Sequence, residues 1–166
     1  MSESQRFLVG EFRRSLDERF RLSIPGELMD QLGLGQSETE EVEGILAKER
    51  PGCLSLWPAK VWDERFKPSM DIVWSKLRAG KFQDRVRDVQ LFGRLMSTRH
   101  KNVQIAGRGR LLIPEGFREF LRVEPGSDVM VIGAAVCLEI WQPQSWVEYL
   151  DRRMPRFSRL FAKLSG

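Results

Sequence analysis

Two cysteines, Cys53 and Cys137, and one histidine, His100, are the whole Cys and His inventory of the 166 residues. A structural zinc site generally takes four Cys or His ligands, so no metal site is expected. Each cysteine reads instead as a small buried apolar residue, and no disulfide is expected in a reducing compartment. Long hydrophobic runs are missing too: no apolar stretch approaches the roughly 18 residues of a membrane span. The opening MSESQRFLVG lacks a basic segment followed by an apolar one, so no signal peptide is expected and the protein is placed in the cytoplasm. No Gly-x-x-x-x-Gly-Lys-Ser/Thr loop is there to cradle a nucleotide. His100, within STRHKNVQ, has no identifiable nucleophile beside it and reads as a surface or sheet residue. The chain is not expected to be an enzyme. No catalytic residue, cofactor, small-molecule substrate or membrane partner is assigned.

What is present suits a globular chain, with 42% hydrophobic and 30% charged residues. The length allows one ordinary domain or two very small ones. The net charge of +4 is unevenly spread. Residues 81–110 hold eight Lys or Arg against two Asp, a net +6, while residues 38–43 hold four glutamates. Such a basic band suggests a polyanion partner, although alone it fits a solvated charged face equally well.

The chain also repeats itself. DERFRLSIPGELMDQL from Asp17 matches AGRGRLLIPEGFREFL from Ala106 at an offset of 89. Further on, CLSLWPAKVWDE from Cys53 matches CLEIWQPQSWVE from Cys137 at an offset of 84, pairing Trp57 with Trp141 and Trp62 with Trp146. The first half therefore carries about five extra residues, most naturally in its Glu-rich stretch. The tryptophans read as repeat core rather than as base-stacking platforms.

Each half has the same grammar: strand, basic turn, strand, short helix, hairpin, helix. Pro25 and Pro114 end a short strand and pre-set a helix start. Leu28 and Leu32, then Phe117 and Leu121, share a face of the helix that follows, and Gly33 is a plausible stop. The Pro51-Gly52 turn and a Gly-broken apolar run mark the two hairpins. Residues 70–96 read as helix interrupted at Gly80. Halves this small fold marginally alone, so a shared core with pseudo-twofold symmetry is expected. The expected units are residues 1–67 and 96–151, joined by a helical connection over 68–95 and followed by a basic extension over 152–166.

The basic turns carry arginines two apart, Arg19 with Arg21 and Arg108 with Arg110. Alternate residues of a strand share a face, so each pair could reach one outer surface. Arg13 and Arg14 add to the first copy, Arg99 and Lys101 to the second. Guanidinium forks suit phosphate oxygens and guanine edges, and a two-stranded ribbon fits the major groove. The structural alternative is an internal Asp17–Arg21 ion pair. Ala106 stands at the matched position of the second copy, where Arg110 persists without an aspartate.

This duplicated pattern, Asp-x-x-x-Arg then apolar-x-Ile-Pro with a tryptophan closing each half, resembles the MraZ family of bacterial transcriptional regulators, and does so over nearly the whole chain. The resemblance implies an α+β, mainly β fold: a duplicated SpoVT-AbrB-like swapped-hairpin β-barrel with short flanking helices. It implies a homo-oligomer, a ring, that sits on the nucleoid and binds double-stranded DNA at direct repeats in the promoter of its own division and cell-wall gene cluster. Carried across, Arg13, Arg14, Arg19, Arg21, Arg108 and Arg110 would contact DNA, while Asp17, Gly109, Pro25 and Pro114 would shape the motif. Phe20 stands where the family has glycine, so a different backbone is expected at that turn. The alternative reading is a ring-forming interaction scaffold or antitoxin-like module with weak DNA binding.

Overall fold

The computed structural model describes residues 7–32 and 41–166. Gly33 and residues 38–40 of the Glu-rich stretch lie outside the described residues. Among the described residues there are eight strands: β1 (Leu8–Ser15), β2 (Arg21–Ser23), β3 (Val42–Arg50), β4 (Cys53–Pro58), β5 (His100–Ala106), β6 (Arg110–Leu112), β7 (Asp128–Ala135) and β8 (Leu138–Trp141). Six helices accompany them: α1 (Gly26–Gln31), α2 (Ala59–Arg78), α3 (Val86–Arg99), α4 (Phe117–Leu121), α5 (Pro143–Arg153) and α6 (Phe157–Ser165).

All strand pairs are antiparallel, in one sheet ordered β1-β7-β8-β4-β3-β5-β6-β2. The outer strands meet again where the Asp17 amide donates to the Arg21 carbonyl at 3.1 Å, so the sheet nearly closes into a barrel. The order is the same read from either half. Strand β1 lies on β7 of the other half's hairpin, and β5 lies on β3 in the same way. Each half thus lends its first strand to its partner's hairpin. The pseudo-twofold axis passes between Leu22 and Leu111, where β2 meets β6, and between Ser55 and Glu139, where β4 meets β8. Two reciprocal bonds lock the exchange: Ile113 N–H to the Phe20 carbonyl at 3.0 Å, and Ile24 N–H to the Gly109 carbonyl at 2.8 Å. Both partners are related by the same offset of 89.

Period-2 alternation fills the barrel. Leu22, Leu46, Leu54, Leu111, Leu138 and Ile140 face inward and are essentially without solvent contact, capped by Leu28 of α1 and Leu121 of α4. The outer faces of the hairpins are covered by helices. Trp57, Ile45 and Cys137 lie under Trp62 and Phe66 of α2, while Trp141, Cys53 and Met130 lie under Trp146 and Tyr149 of α5. The matched tryptophans are packing residues, edge to face at 6.0 Å in the first pair and tilted at 5.1 Å in the second. Both cysteines are free and buried. Desolvation pushes the Cys137 thiol up to about 12 and raises Cys53 as well, which leaves both inert as nucleophiles.

The helix expected after the first hairpin runs on without a break into the helical connection. α2 begins at Ala59, runs through Pro68 and stops before Gly80, which takes a left-handed φ of +71°; α3 then extends to Arg99. The basic C-terminal stretch continues from α5 through a short 3₁₀ turn into α6.

A carboxyl group sits beside the pseudo-twofold axis. Glu139 is half-buried, accepts the Trp141 indole N–H at 3.0 Å, and is raised above its ordinary value by desolvation, with Glu49 adding to the effect. A raised carboxyl costs folded-state stability once pH climbs through its folded value, and costs nothing below its ordinary 4.5. Glu139→Gln, which keeps an acceptor for the indole, should therefore melt higher than the wild type at pH 7.5. The difference should vanish below pH 4.5. Thermal melts across that range check the sign.

Candidate nucleic-acid interface

The first basic turn is built by Asp17. Its carbonyl accepts the Phe20 amide at 3.1 Å, and one carboxylate oxygen accepts both the Arg19 and Arg21 amides at 2.8 Å. The other oxygen takes Arg21 Nε at 2.7 Å, so the internal ion pair is formed. These bonds, led by the Arg21 backbone N–H, hold the Asp17 carboxyl below its ordinary value. A depressed carboxyl stabilises the fold above its ordinary 3.8 and loses that contribution as pH falls through its folded value. Asp17→Ala should therefore melt below the wild type at pH 7, with the gap narrowing as pH drops below 3.8. A constant gap across a pH series of melts would remove Asp17's charge from the account.

Phe20 closes this turn in the left-handed region at φ +59°, as Gly109 does at +86° in the second copy. The expected change of backbone at Phe20 is therefore not found at that residue. A side chain there costs about 1–2 kcal/mol. Offsetting contacts come from the ring, which packs on the core beneath the Arg118 guanidinium at 4.4 Å. The copies differ one residue earlier. Arg108 takes φ +60°, within a 3₁₀ turn (Gly107–Gly109), whereas Arg19 does not have a positive φ. Without an aspartate at Ala106, Arg110 Nε reaches only the Gly107 carbonyl at 3.4 Å.

Pairing of β2 with β6 brings the two copies together. Arg21 lies opposite Leu112, and Ser23 opposite Arg110, on the outer face of a two-stranded ribbon whose other face is Leu22 and Leu111. All four outer residues are exposed, Leu112 by 51%. Arg19 and Arg108 are exposed on the turns that enter the ribbon. They are turn residues, so strand alternation does not govern where they point. Ser23 and Leu112 were not singled out by sequence reasoning; the signal available was their place two residues after each arginine. The turns are electrostatically unequal. Residues 17–21 balance Asp17 and Glu18 against Arg19 and Arg21, while residues 106–110 carry Arg108 and Arg110 with no acid.

The remaining cations do not join this ribbon as one group. Arg13 and Arg14 fall on opposite faces of β1, as period 2 requires. Arg13 pairs with Asp128 at 3.1 Å, and Arg14 lies over the Phe12 ring at 5.5 Å. Arg99 pairs with Glu49 at 3.5 Å, and with Lys101 it stands at the far end of β5, about 20 Å from the turn by strand rise. Pro25 and Pro114 stand between each short strand and the helix that follows it. Their carbonyls accept the amides of Leu28 in α1 and Phe117 in α4, at 3.0 and 3.1 Å.

Known proteins resemble this chain over most of its length. A family model described as "MraZ protein, putative antitoxin-like" matches residues 96–162. The transcriptional regulator MraZ of Acetivibrio thermocellus is 30% identical over 140 residues, 84% of each chain. Those of Heliobacterium modesticaldum and Moorella thermoacetica are 27% and 26% identical over 156 residues, 94% of this chain and 95% of theirs. Among solved structures, the solution structure of PHS018 from Pyrococcus horikoshii aligns with 82% of this chain and 96% of its own at 13% identity. The TM-score of that alignment is 0.34. With its duplicated barrel and relatives matched nearly end to end, the chain belongs to the MraZ family.

Proposed function

We propose that the protein is a sequence-specific DNA-binding transcriptional regulator. It acts at promoter repeats of its own division and cell-wall gene cluster through the arginine turns of both repeats. The observation that carries this reading is the β2–β6 ribbon, which gathers arginines from both copies onto one exposed surface. Arg21 and Arg110 lie diagonally across it, suited to guanine edges, with Leu112 between them for a thymine methyl. Arg19 and Arg108 flank it as phosphate contacts, Arg13 contributes from the outer face of β1, and Arg14 from its end. Relatives named as transcriptional regulators support the same role.

A homo-oligomer, closing as a ring on the nucleoid, belongs to this proposal. Its support is the apolar surface one copy leaves uncovered: Ile72, Leu91 and Leu95 on α2 and α3, and Phe157, Phe161 and Leu164 on α6, are each more than half exposed. Two unlike patches on one chain suit head-to-tail contacts, which close into rings.

The test is binding of the full chain to the duplex upstream of its own gene, against a scrambled duplex, over a salt titration. The promoter duplex should bind at least about 10³-fold more tightly than the scrambled one. Its log affinity should fall with log salt at a slope of about −0.9 per phosphate neutralised. Equal, weak binding to both duplexes would overturn the proposal.

A further inference from the structure

At the end of β3 away from the second arginine turn, four more arginines line one pocket. Arg50 comes from the end of β3, and Arg152, Arg153 and Arg156 from the junction of α5 and α6; together with Tyr149 they line a space of ≈ 330 Å³. β3 starts at Val42, which pairs with Ile105 beside the second turn, and Arg50 lies eight residues along it, about 26 Å away by strand rise. The pocket is therefore separate from the second turn.

Among the described residues, none of the four guanidiniums forms an ion pair; the three ion pairs present involve Arg13, Arg21 and Arg99. Four like charges around one space repel one another unless an anion joins them. Their platform is aromatic. Arg50 stacks over Tyr149 at 4.9 Å and Trp141 at 5.7 Å, and Arg153 lies over Tyr149 at 5.7 Å, which restrains two of the guanidiniums in place.

The fold does not require this cluster. At the offset of 84 that relates the two helices, Arg152, Arg153 and Arg156 correspond to Pro68, Ser69 and Ile72 of α2. The first copy completes the same strand-and-helix packing with no cation at those positions. A purely structural role would leave the second copy's three arginines unexplained.

We propose that this pocket is a binding site for a small, multiply charged phosphate, a diphosphate or its ester. Guanidinium forks match phosphate oxygens two at a time. Four of them gathered on one space suit charge concentrated in one small anion. A nucleic-acid strand carries one charge per phosphate, strung out along its length, and suits a row of cations better. The inference does not rest on the DNA reading of the turns.

Inorganic pyrophosphate is the probe. It would be titrated into the full chain at fixed ionic strength, with binding read by calorimetry and by the fluorescence of the nearby Trp141. Saturable binding is expected for the wild type. Arg153→Ala with Arg156→Ala should weaken it by about 100-fold, since each charged hydrogen-bonding partner is worth roughly tenfold or more. Arg21→Ala with Arg110→Ala should leave it unchanged, and all variants should keep the wild-type circular dichroism. Three results would overturn the proposal: no saturation at millimolar pyrophosphate, equal loss in the ribbon variant, or pocket variants that lose duplex DNA binding while pyrophosphate never bound.

Discussion

Removing Arg108 and Arg110 together by alanine substitution should weaken promoter binding far more than removing Arg19 and Arg21. The two turns are related by the pseudo-twofold axis and look interchangeable in sequence. Their chemistry is not. In the first turn Arg21 Nε is held by Asp17 at 2.7 Å, so part of the guanidinium's donor capacity is spent inside the protein. Asp17 and Glu18 also cancel the charge of the two arginines beside them, and carboxylates near DNA oppose its phosphates. In the second turn neither acid exists, and Arg110 is tethered only by a long 3.4 Å bond to the Gly107 carbonyl. A base-reading arginine is worth about 1–3 kcal/mol, so the Arg108/Arg110 double variant should lose about that much on the promoter duplex through Arg110, with the Arg108 phosphate contact adding to the loss. Its salt slope should shrink by about one for each phosphate contact removed. The Arg19/Arg21 variant should lose less. Losses of the same size from both turns would show that the Asp17 pair opens on binding and that the copies read DNA equally. Unchanged affinity in both would take the turns out of the mechanism.

Much of this architecture could be read from the chain itself, because a duplication is a long-range signal that short-range periodicity cannot supply. The Arg-x-x-Ile-Pro phrases and the Cys-Leu-x-x-Trp phrases fixed which segments correspond, and correspondence within one small core implies a twofold arrangement. The Pro51-Gly52 turn and the prolines ahead of α1 and α4 act locally, through φ and a missing N–H, so their effects are readable without neighbours. Other features depend on contacts that no local pattern records. Phe20 adopts a glycine-like φ because tertiary packing on the core and Arg118 outweighs its intrinsic preference. Arg13 and Arg14 are adjacent in sequence, yet strand pleating and the Asp128 partner on β7 separate them. Ser23 and Leu112 gain their place on the ribbon from cross-strand register, which is set by the whole barrel.

The largest effect on stability is expected where the two copies touch. Leu22 and Leu111 face each other across the axis, each 1% exposed, directly beneath the arginines of the ribbon. Strands β2 and β6 are only three residues long, so three cross-strand pairs hold the contact and these two side chains are its inward anchor. Truncating a fully buried leucine to alanine removes its transfer free energy and leaves a cavity, at a cost of about 2–5 kcal/mol. Pseudo-symmetry makes a sharper demand: Leu22→Ala and Leu111→Ala should cost the same within measurement error, because each opens the same cavity from one side. Native stability is typically about 5–15 kcal/mol, so either change takes a large fraction of it. The double variant should cost less than the sum, since the second truncation enlarges a cavity already present. Denaturant titrations of the four proteins test both points. If one leucine proves nearly silent, the two halves do not share the axis equally. The ribbon would then be carried by one copy, and the unequal turns above would have an unequal foundation beneath them.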